Sequence, residues 1–95
     1  MKIKLHRDFE KQYRKLKERE KKKFKQRRDL FLQDEFNPIL NNHSLKGKYQ
    51  GYRSINITGD LRAIYKRSLQ GQGPYRRDRQ TVIFVAIHIH SNLYG

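Results

Sequence analysis

The sequence predicts an α+β fold in which a strand and a two-helix hairpin precede a β-hairpin and a last, buried strand. Three observations carry this. Phe9, Tyr13 and Leu16, and then Phe24, Phe31 and Leu32, recur at helical spacing. Tyr52 to Ile57 and Leu61 to Lys66 flank the short turn Thr58-Gly59-Asp60, which is the pattern of a β-hairpin. Thr81 to Ile89 reads TVIFVAIHI, apolar on both faces until its end, as a strand covered on both sides would be.

In chain order, Lys2 to His6 alternates polar residues with Ile3 and Leu5 and reads as a short strand with one wet side, whose lysines discourage edge-to-edge association. Asp8 is the expected N-cap of the first helix. One straight helix from Asp8 to Glu35 would be roughly 40 Å long at about 1.5 Å per residue, longer than so small a domain is wide. A hairpin of two helices is expected instead, with its break near Arg19 to Lys22. The lysine-rich run Lys15 to Arg28 reads first as a solvated helix face. Asn37-Pro38 ends the second helix, because proline disfavours the helical conformation in the residue before it. Ile39 and Leu40 then tuck the connection against the core.

His43 to Gly51 is a basic loop punctuated by glycines that leads into the hairpin. After the hairpin, Arg67 to Gln80 is a long connection rich in Gly, Arg and Gln, for which mobility is expected. Its arginines, Arg67, Arg76, Arg77 and Arg79, could follow an RNA backbone, with Tyr75 offering a stacking surface; a merely solvated loop is the plainer alternative. In the last strand, regular alternation would turn Ile83, Val85, Ile87 and Ile89 toward the helices and Phe84, Ala86, His88 and His90 to the other face. No layer is available to cover that second face fully, so a groove is expected there.

Ninety-five residues make one expected domain, 1–95, with a small core. A net charge of +14 and a pI near 10.4 give the surface a strong positive field, so the expected partner is a polyanion. No run approaches the roughly 18 apolar residues of a membrane span, and the apolar core of a signal peptide is missing from the N-terminus. With no cysteine, the chain uses neither disulfides nor thiolate metal sites, and a cytoplasmic protein is expected. His6, His43, His88 and His90 form no strong metal pattern, since His-x-His on a strand lacks a nearby carboxylate; no metal and no cofactor are expected. Gly71 to Gly73 is not a phosphate loop, because no strand-to-helix context surrounds it.

Arg53 and Arg62 stand on the two strands of the hairpin, His43 and Asp60 at its bends, and His90 at the end of the last strand. Groups that titrate near neutrality beside fixed cations suit the handling of a phosphodiester. Each also has a plainer reading: His43 as a surface residue, Asp60 as a turn residue bonded to its own backbone, and His90 as the polar end of a buried strand.

The segments His43-Ser44-Leu45-Lys46-Gly47, Gly51-Tyr52-Arg53, Asp60, Ile64-Tyr65-Lys66 and His90-Ser91-Asn92-Leu93-Tyr94-Gly95 resemble the RelE/ParE superfamily of bacterial toxins. Within it they look most like the YafQ branch of messenger-RNA endonucleases. The resemblance implies the RelE-like microbial ribonuclease fold, a twisted antiparallel sheet with two helices on one side and RNA on the other. It implies a type II toxin that cleaves mRNA on the ribosome without a metal, by attack of the RNA 2′-hydroxyl on the adjacent phosphate, and that a cognate acidic antitoxin restrains. Carried over to this chain, the family's functional residues would be His43, Asp60 and His90, with its C-terminal aromatic matched by Tyr94; in the mechanism so implied, Arg62 joins the three as catalytic. The RNA would be held by Lys46, Lys48, Arg53, Asn56, His88 and Tyr94.

Two positions depart from the branch. Asn56 stands where it has a second histidine, and His88-Ile89 stands where it has Gly-Thr. Asn56 can hydrogen-bond but cannot exchange a proton near neutral pH, so an acid/base duty at that position moves elsewhere, with His88 as a candidate. Two other classes share the charge or the fold: a ParE-like inhibitor of a topoisomerase, and a small basic nucleic-acid-binding protein. The joint presence of His43, Asp60 and His90 favours the nuclease, since binding alone has no use for such groups.

Overall fold

In the computed structural model, which describes residues 1–68 and 81–89, the order is β1 (Lys2–Leu5), α1 (Arg7–Arg14), α2 (Glu18–Gln33), β2 (His43–Ser44), β3 (Arg53–Asn56), β4 (Leu61–Ser68) and β5 (Thr81–Ile89). The strands form one sheet in the order β1-β5-β4-β3-β2. Strands β2 to β5 pair antiparallel, as expected. Strand β1 joins parallel to β5, with Lys2 opposite Thr81 and Leu5 opposite Phe84, so the sheet is mixed. Among the described residues, no helix is long and apolar enough to cross a membrane.

The first helix begins earlier than an Asp8 cap would place it. His6 is the N-cap, its Nδ1 accepting from the Asp8 amide at 3.0 Å, and Asp8 lies in the first turn, where its charge meets the positive end of the helix. The break between the helices also comes earlier, at residues 15–17 instead of Arg19 to Lys22. Leu16 is half-buried against the core and its amide bonds the Tyr13 carbonyl at 3.0 Å, so the chain turns where that side chain goes inward. Helix α2 then restarts at once, with Glu20 Oε1 accepting from the Lys17 amide at 2.9 Å. Beyond α2, Asn37 caps a 3₁₀ turn at Pro38–Leu40, and buried Leu40 pins the connection while Ile39 stays exposed.

The core lies between the helices and one face of the sheet. Phe84 is its centre: its ring lies 5.8 Å from Phe9, 5.7 Å from Phe24, 5.6 Å from Phe31 and 5.5 Å from Tyr65. Ile55, Ile57, Leu61, Ala63, Val82 and Ile87 complete it. This corrects the regular alternation expected along β5, which put Phe84 on the far face. Tyr65 pairs with Phe84 but Ile64 pairs with Ala86, so Val85 is an extra residue, a β-bulge. The bulge shifts the strand's phase once. Val82 and Phe84 therefore join Ile87 on the helix side, and His88 still faces away.

The far face is not wholly open. Leu45, Ile64 and Ala86 form a second, smaller core there, with Tyr49, Tyr52 and Val85 packed around it. The segment between β2 and β3 makes this cover by folding through a 3₁₀ turn at Gly47–Tyr49. Gly47, at φ 69°, and Gly51, at φ 91°, bracket that turn in a conformation that side-chain-bearing residues rarely adopt. One end of the face is thus closed, and the end nearest the β3–β4 turn carries the half-buried Asn56, Arg62 and His88.

Candidate functional site

The hairpin register builds the end nearest the turn. Asn56 lies opposite Arg62, and Arg62 opposite His88, so the three side chains form one row across β3, β4 and β5 on the face away from the helices. The next row is Ser54, Ile64 and Ala86, and His43 extends it at the sheet edge by pairing with Ser54. His43 therefore shares the face, with its Cα about 12 Å from that of Arg62 by strand spacing and rise per residue.

His43 Nδ1 lies 2.9 Å from the Asn41 carbonyl oxygen. A carbonyl only accepts, so Nδ1 carries the hydrogen and the neutral ring keeps its lone pair on Nε2. Arg62 Nη1 donates to the carbonyls of Thr58 at 3.3 Å and Gly59 at 3.0 Å, which holds the guanidinium at the turn and leaves its other N–H groups for an anion. On either side of Arg62 in the row, Asn56 Oδ1 and His88 Nδ1 are buried without a partner. An unsatisfied buried polar atom costs about 1–3 kcal/mol, so two of them beside one cation make this row a candidate site.

The basic loop adds Lys46 and Lys48, both exposed, with Lys48 Nζ 5.4 Å from the Tyr49 ring centroid. Lys66 belongs with them: it shares strand parity with Arg62 and Ile64, and its Nζ sits 5.7 Å from the Tyr52 ring centroid. It was not among the residues picked from sequence, although its spacing of four from Arg62 along a strand was the available signal. Asp60 is placed differently. It is exposed in the turn and lines an open hollow of about 430 Å³ with Thr58, Ile89 and the α2 residues Arg19, Glu20 and Lys23. Thr58 Oγ1 accepts from the amides of Asp60 and Leu61 at 3.3 and 3.0 Å and so fixes the turn itself.

Arg53 was expected beside Arg62, but it stands on the other face. It pairs with Tyr65 and shares parity with the core residues Ile55 and Ile57. Its Nε donates to Asn42 Oδ1 at 2.7 Å, and its guanidinium lies 5.3 Å from the Phe36 ring centroid. Asn42 Nδ2 in turn donates to the Tyr65 hydroxyl at 2.7 Å and to the Glu35 carbonyl at 3.1 Å. The Tyr65 hydroxyl donates to Glu35 Oε2 at 2.7 Å, and Arg67 Nη2 bonds the same oxygen.

Burial pushes the Glu35 carboxyl up, but hydrogen bonds from Arg67 and Tyr65 and the charges of Arg67 and Arg53 outweigh it, leaving its pKa below the ordinary 4.5. Burial, reinforced by the Glu35 carboxylate, pushes the Tyr65 phenol up to about 12. A lowered carboxyl pKa stabilises the fold above its unfolded value, and that stabilisation is lost as pH falls through the folded value. Urea unfolding of Glu35→Gln at neutral pH and below the ordinary 4.5 should therefore show a smaller acid-induced loss than wild type. An equal loss in both proteins would remove Glu35 from the acid response.

Comparison with known proteins decides the family. A family model described as the bacterial toxin of type II toxin-antitoxin system, YafQ, matches residues 1–95. The chain belongs to the YafQ family of type II toxins. Solved structures with the same fold include YafQ from E. coli strain BL21(DE3), 21% identical at a TM-score of 0.73, covering 98% of this chain and 97% of that one. A YoeB/ParE toxin from Agrobacterium tumefaciens is 22% identical at a TM-score of 0.71, covering 95% and 99%. YafQ in the E. coli DinJ-YafQ toxin-antitoxin complex is 22% identical at 0.70, covering 98% and 96%. No curated protein matches the chain in sequence.

For this YafQ-family toxin, the structure gathers His43, Asn56, Arg62 and His88 on one face, with Asp60 in the adjoining turn and Arg53 behind the sheet. His90 and Tyr94 lie outside the described residues, as do Tyr75, Arg76, Arg77 and Arg79 of the long connection. Among the described residues, no group of three or more His, Cys, Asp or Glu side chains could hold a metal ion.

Proposed function

We propose that this YafQ-family toxin cleaves messenger RNA engaged on the ribosome, and that an acidic antitoxin neutralises it. The observation that supports this best is the Asn56–Arg62–His88 row, with its two orphaned polar atoms, on the same face as a histidine whose lone pair sits on Nε2. In this reading the RNA crosses the face over Lys46, Lys48 and Lys66. The 2′-oxygen attacks the adjacent phosphorus, its proton passes to His43 Nε2, and the departing 5′-oxygen receives a proton from His90, leaving a cyclic phosphate and a 5′-hydroxyl. Arg62 stabilises the extra charge on phosphorus. Asn56 and His88 bind the phosphate or ribose beside it, and Tyr94 packs on a base or sugar. Asp60 acts through the turn that holds Arg62.

Family membership supports the antitoxin, since E. coli YafQ occurs in a complex with DinJ. A chain of +14 charge is matched by a flexible acidic segment.

The test is cleavage of ribosome-bound and free mRNA by the purified chain, with its product ends identified. Cleavage should survive excess EDTA, since the mechanism uses side-chain proton transfer, and RNA binding should weaken steeply with salt through counterion release. His43→Ala should lose about 10²-fold or more, whereas His6→Ala, which removes only the N-cap of α1, should cleave like wild type. Activity lost in EDTA and restored by a metal would overturn the mechanism. Wild-type rates from His43→Ala and His90→Ala would overturn the assignment.

A further inference from the structure

The side chains behind His43 form a chain of hydrogen bonds in which each donor and acceptor is fixed by chemistry. Arg53 can only donate, so Asn42 turns its Oδ1 to Arg53 and both hydrogens of Nδ2 the other way, to the Tyr65 hydroxyl and the Glu35 carbonyl. The Tyr65 oxygen accepts from Asn42 and passes its own hydrogen to Glu35 Oε2, where Arg67 also ends. The amide of Asn42 is thus used at all three of these contacts, by partners drawn from the segment just after α2, from β3 and from β4.

What this fixes is a short piece of backbone. Asn41 lies before Asn42 in the left-handed region, at φ 45°, and its carbonyl is the one that receives His43 Nδ1. Asparagine tolerates that conformation better than most residues, but the conformation is not self-sustaining. The Asn42 side chain ties down the residue between the carbonyl and the ring. Strand pairing then holds His43 itself against Ser54.

We propose that Asn42 is a positioning residue for His43, and that the Arg53–Asn42–Tyr65–Glu35 relay keeps the Asn41 carbonyl on Nδ1 so that Nε2 faces the RNA. The idea rests on His43 as a proton-transfer group. It also gives Arg53 a role on the face where it stands, one that does not involve touching RNA.

The experiment uses the whole chain with ¹⁵N-labelled imidazoles. Wild type should show His43 in the Nδ1–H tautomer, and Asn42→Ala and Tyr65→Phe should each show mixed tautomers. Tyr65→Phe keeps the buried ring and removes only the hydroxyl, so it remains informative if Asn42→Ala folds poorly. In both folded variants kcat should fall roughly tenfold to a hundredfold with KM little changed, as expected when a reacting group is misplaced without loss of binding. The His43→Ala/Asn42→Ala double variant should be no slower than His43→Ala alone. Wild-type tautomer and kcat in folded Tyr65→Phe, or additive losses in the double variant, would overturn the proposal. If wild type cleaves no RNA, the nuclease reading fails, and the tautomer measurement alone then decides for or against the relay.

Discussion

Replacing Arg62 with alanine is expected to lower RNA cleavage by roughly 10²–10³-fold, the usual loss when one preorganised charge-stabilising donor is removed. Arg62 is the cation at the centre of the row, and its orientation is set before any ligand arrives by two bonds to the turn carbonyls of Thr58 and Gly59. Asn56 Oδ1 and His88 Nδ1, on its neighbours in the row, are buried without partners, which in the proposed mechanism the RNA would supply. The loss should be catalytic and not structural. Arg62 is outside both apolar clusters, and the turn retains its Thr58 hydroxyl bonds. Arg62→Lys keeps the charge but loses the forked geometry, so it should fall between the two. Single-turnover cleavage with a parallel thermal melt checks this; Arg62→Ala cleaving within about threefold of wild type would remove Arg62 from the chemistry, because a transition-state donor cannot be lost so lightly.

Phe84→Ala should cost about 3–5 kcal/mol, as truncation of a fully buried aromatic ring does. The ring is 0% exposed and meets the rings of Phe9, Phe24, Phe31 and Tyr65, which come from both helices and from β4. No single neighbour can collapse into the space without releasing another. For a domain of this size the loss corresponds to roughly 15–30 °C in Tm, and it is a large part of a typical stability of about 5–15 kcal/mol. Val85→Ala, one residue along but half-buried in the smaller cluster, should cost far less. Urea unfolding of the two variants measures the contrast, and equal losses would contradict the assignment of the core.

The elements themselves were legible because their signals are local. The β-hairpin around Thr58 to Asp60 and the strand Thr81 to Ile89 follow from patterning, and the aromatic stripe marks the helices. The faces were harder to read. Alternation along β5 failed at Val85, because a bulge is decided by the partner strand and leaves no mark in its own sequence. The helix break carries neither Gly nor Pro; its signals are inward-turning Leu16 and the Glu20 cap, both easily taken for part of one amphipathic stripe.

At the site, the side of Arg53 follows from the hairpin register once Asn56 is known to pair with Arg62, since Arg53 and Asn56 are three positions apart and an odd step changes face. The relay through Glu35, Asn42 and Tyr65 joins residues up to thirty positions apart, and no spacing rule connects them. His43 and Arg62 were legible as candidates because their chemistry is distinctive wherever they lie.

For anyone redesigning this scaffold, the bulge at Val85 is a constraint on pairing more than on composition. Phe84 and His88 are four positions apart, an even step, and on a regular strand both would point the same way. The aromatic hub and the histidine of the row occupy opposite faces only because one residue between them goes unpaired. Deleting Val85 would leave an odd step between them, so a regular strand would keep the ring inside and the imidazole outside with every pair in place; straightening the strand with Val85 retained is what would put both on one face. A residue with no evident chemistry of its own thus has to stay out of the ladder, and substitutions at 85 should be tolerated far better than any change on β4 or β5 that draws it into the pairing.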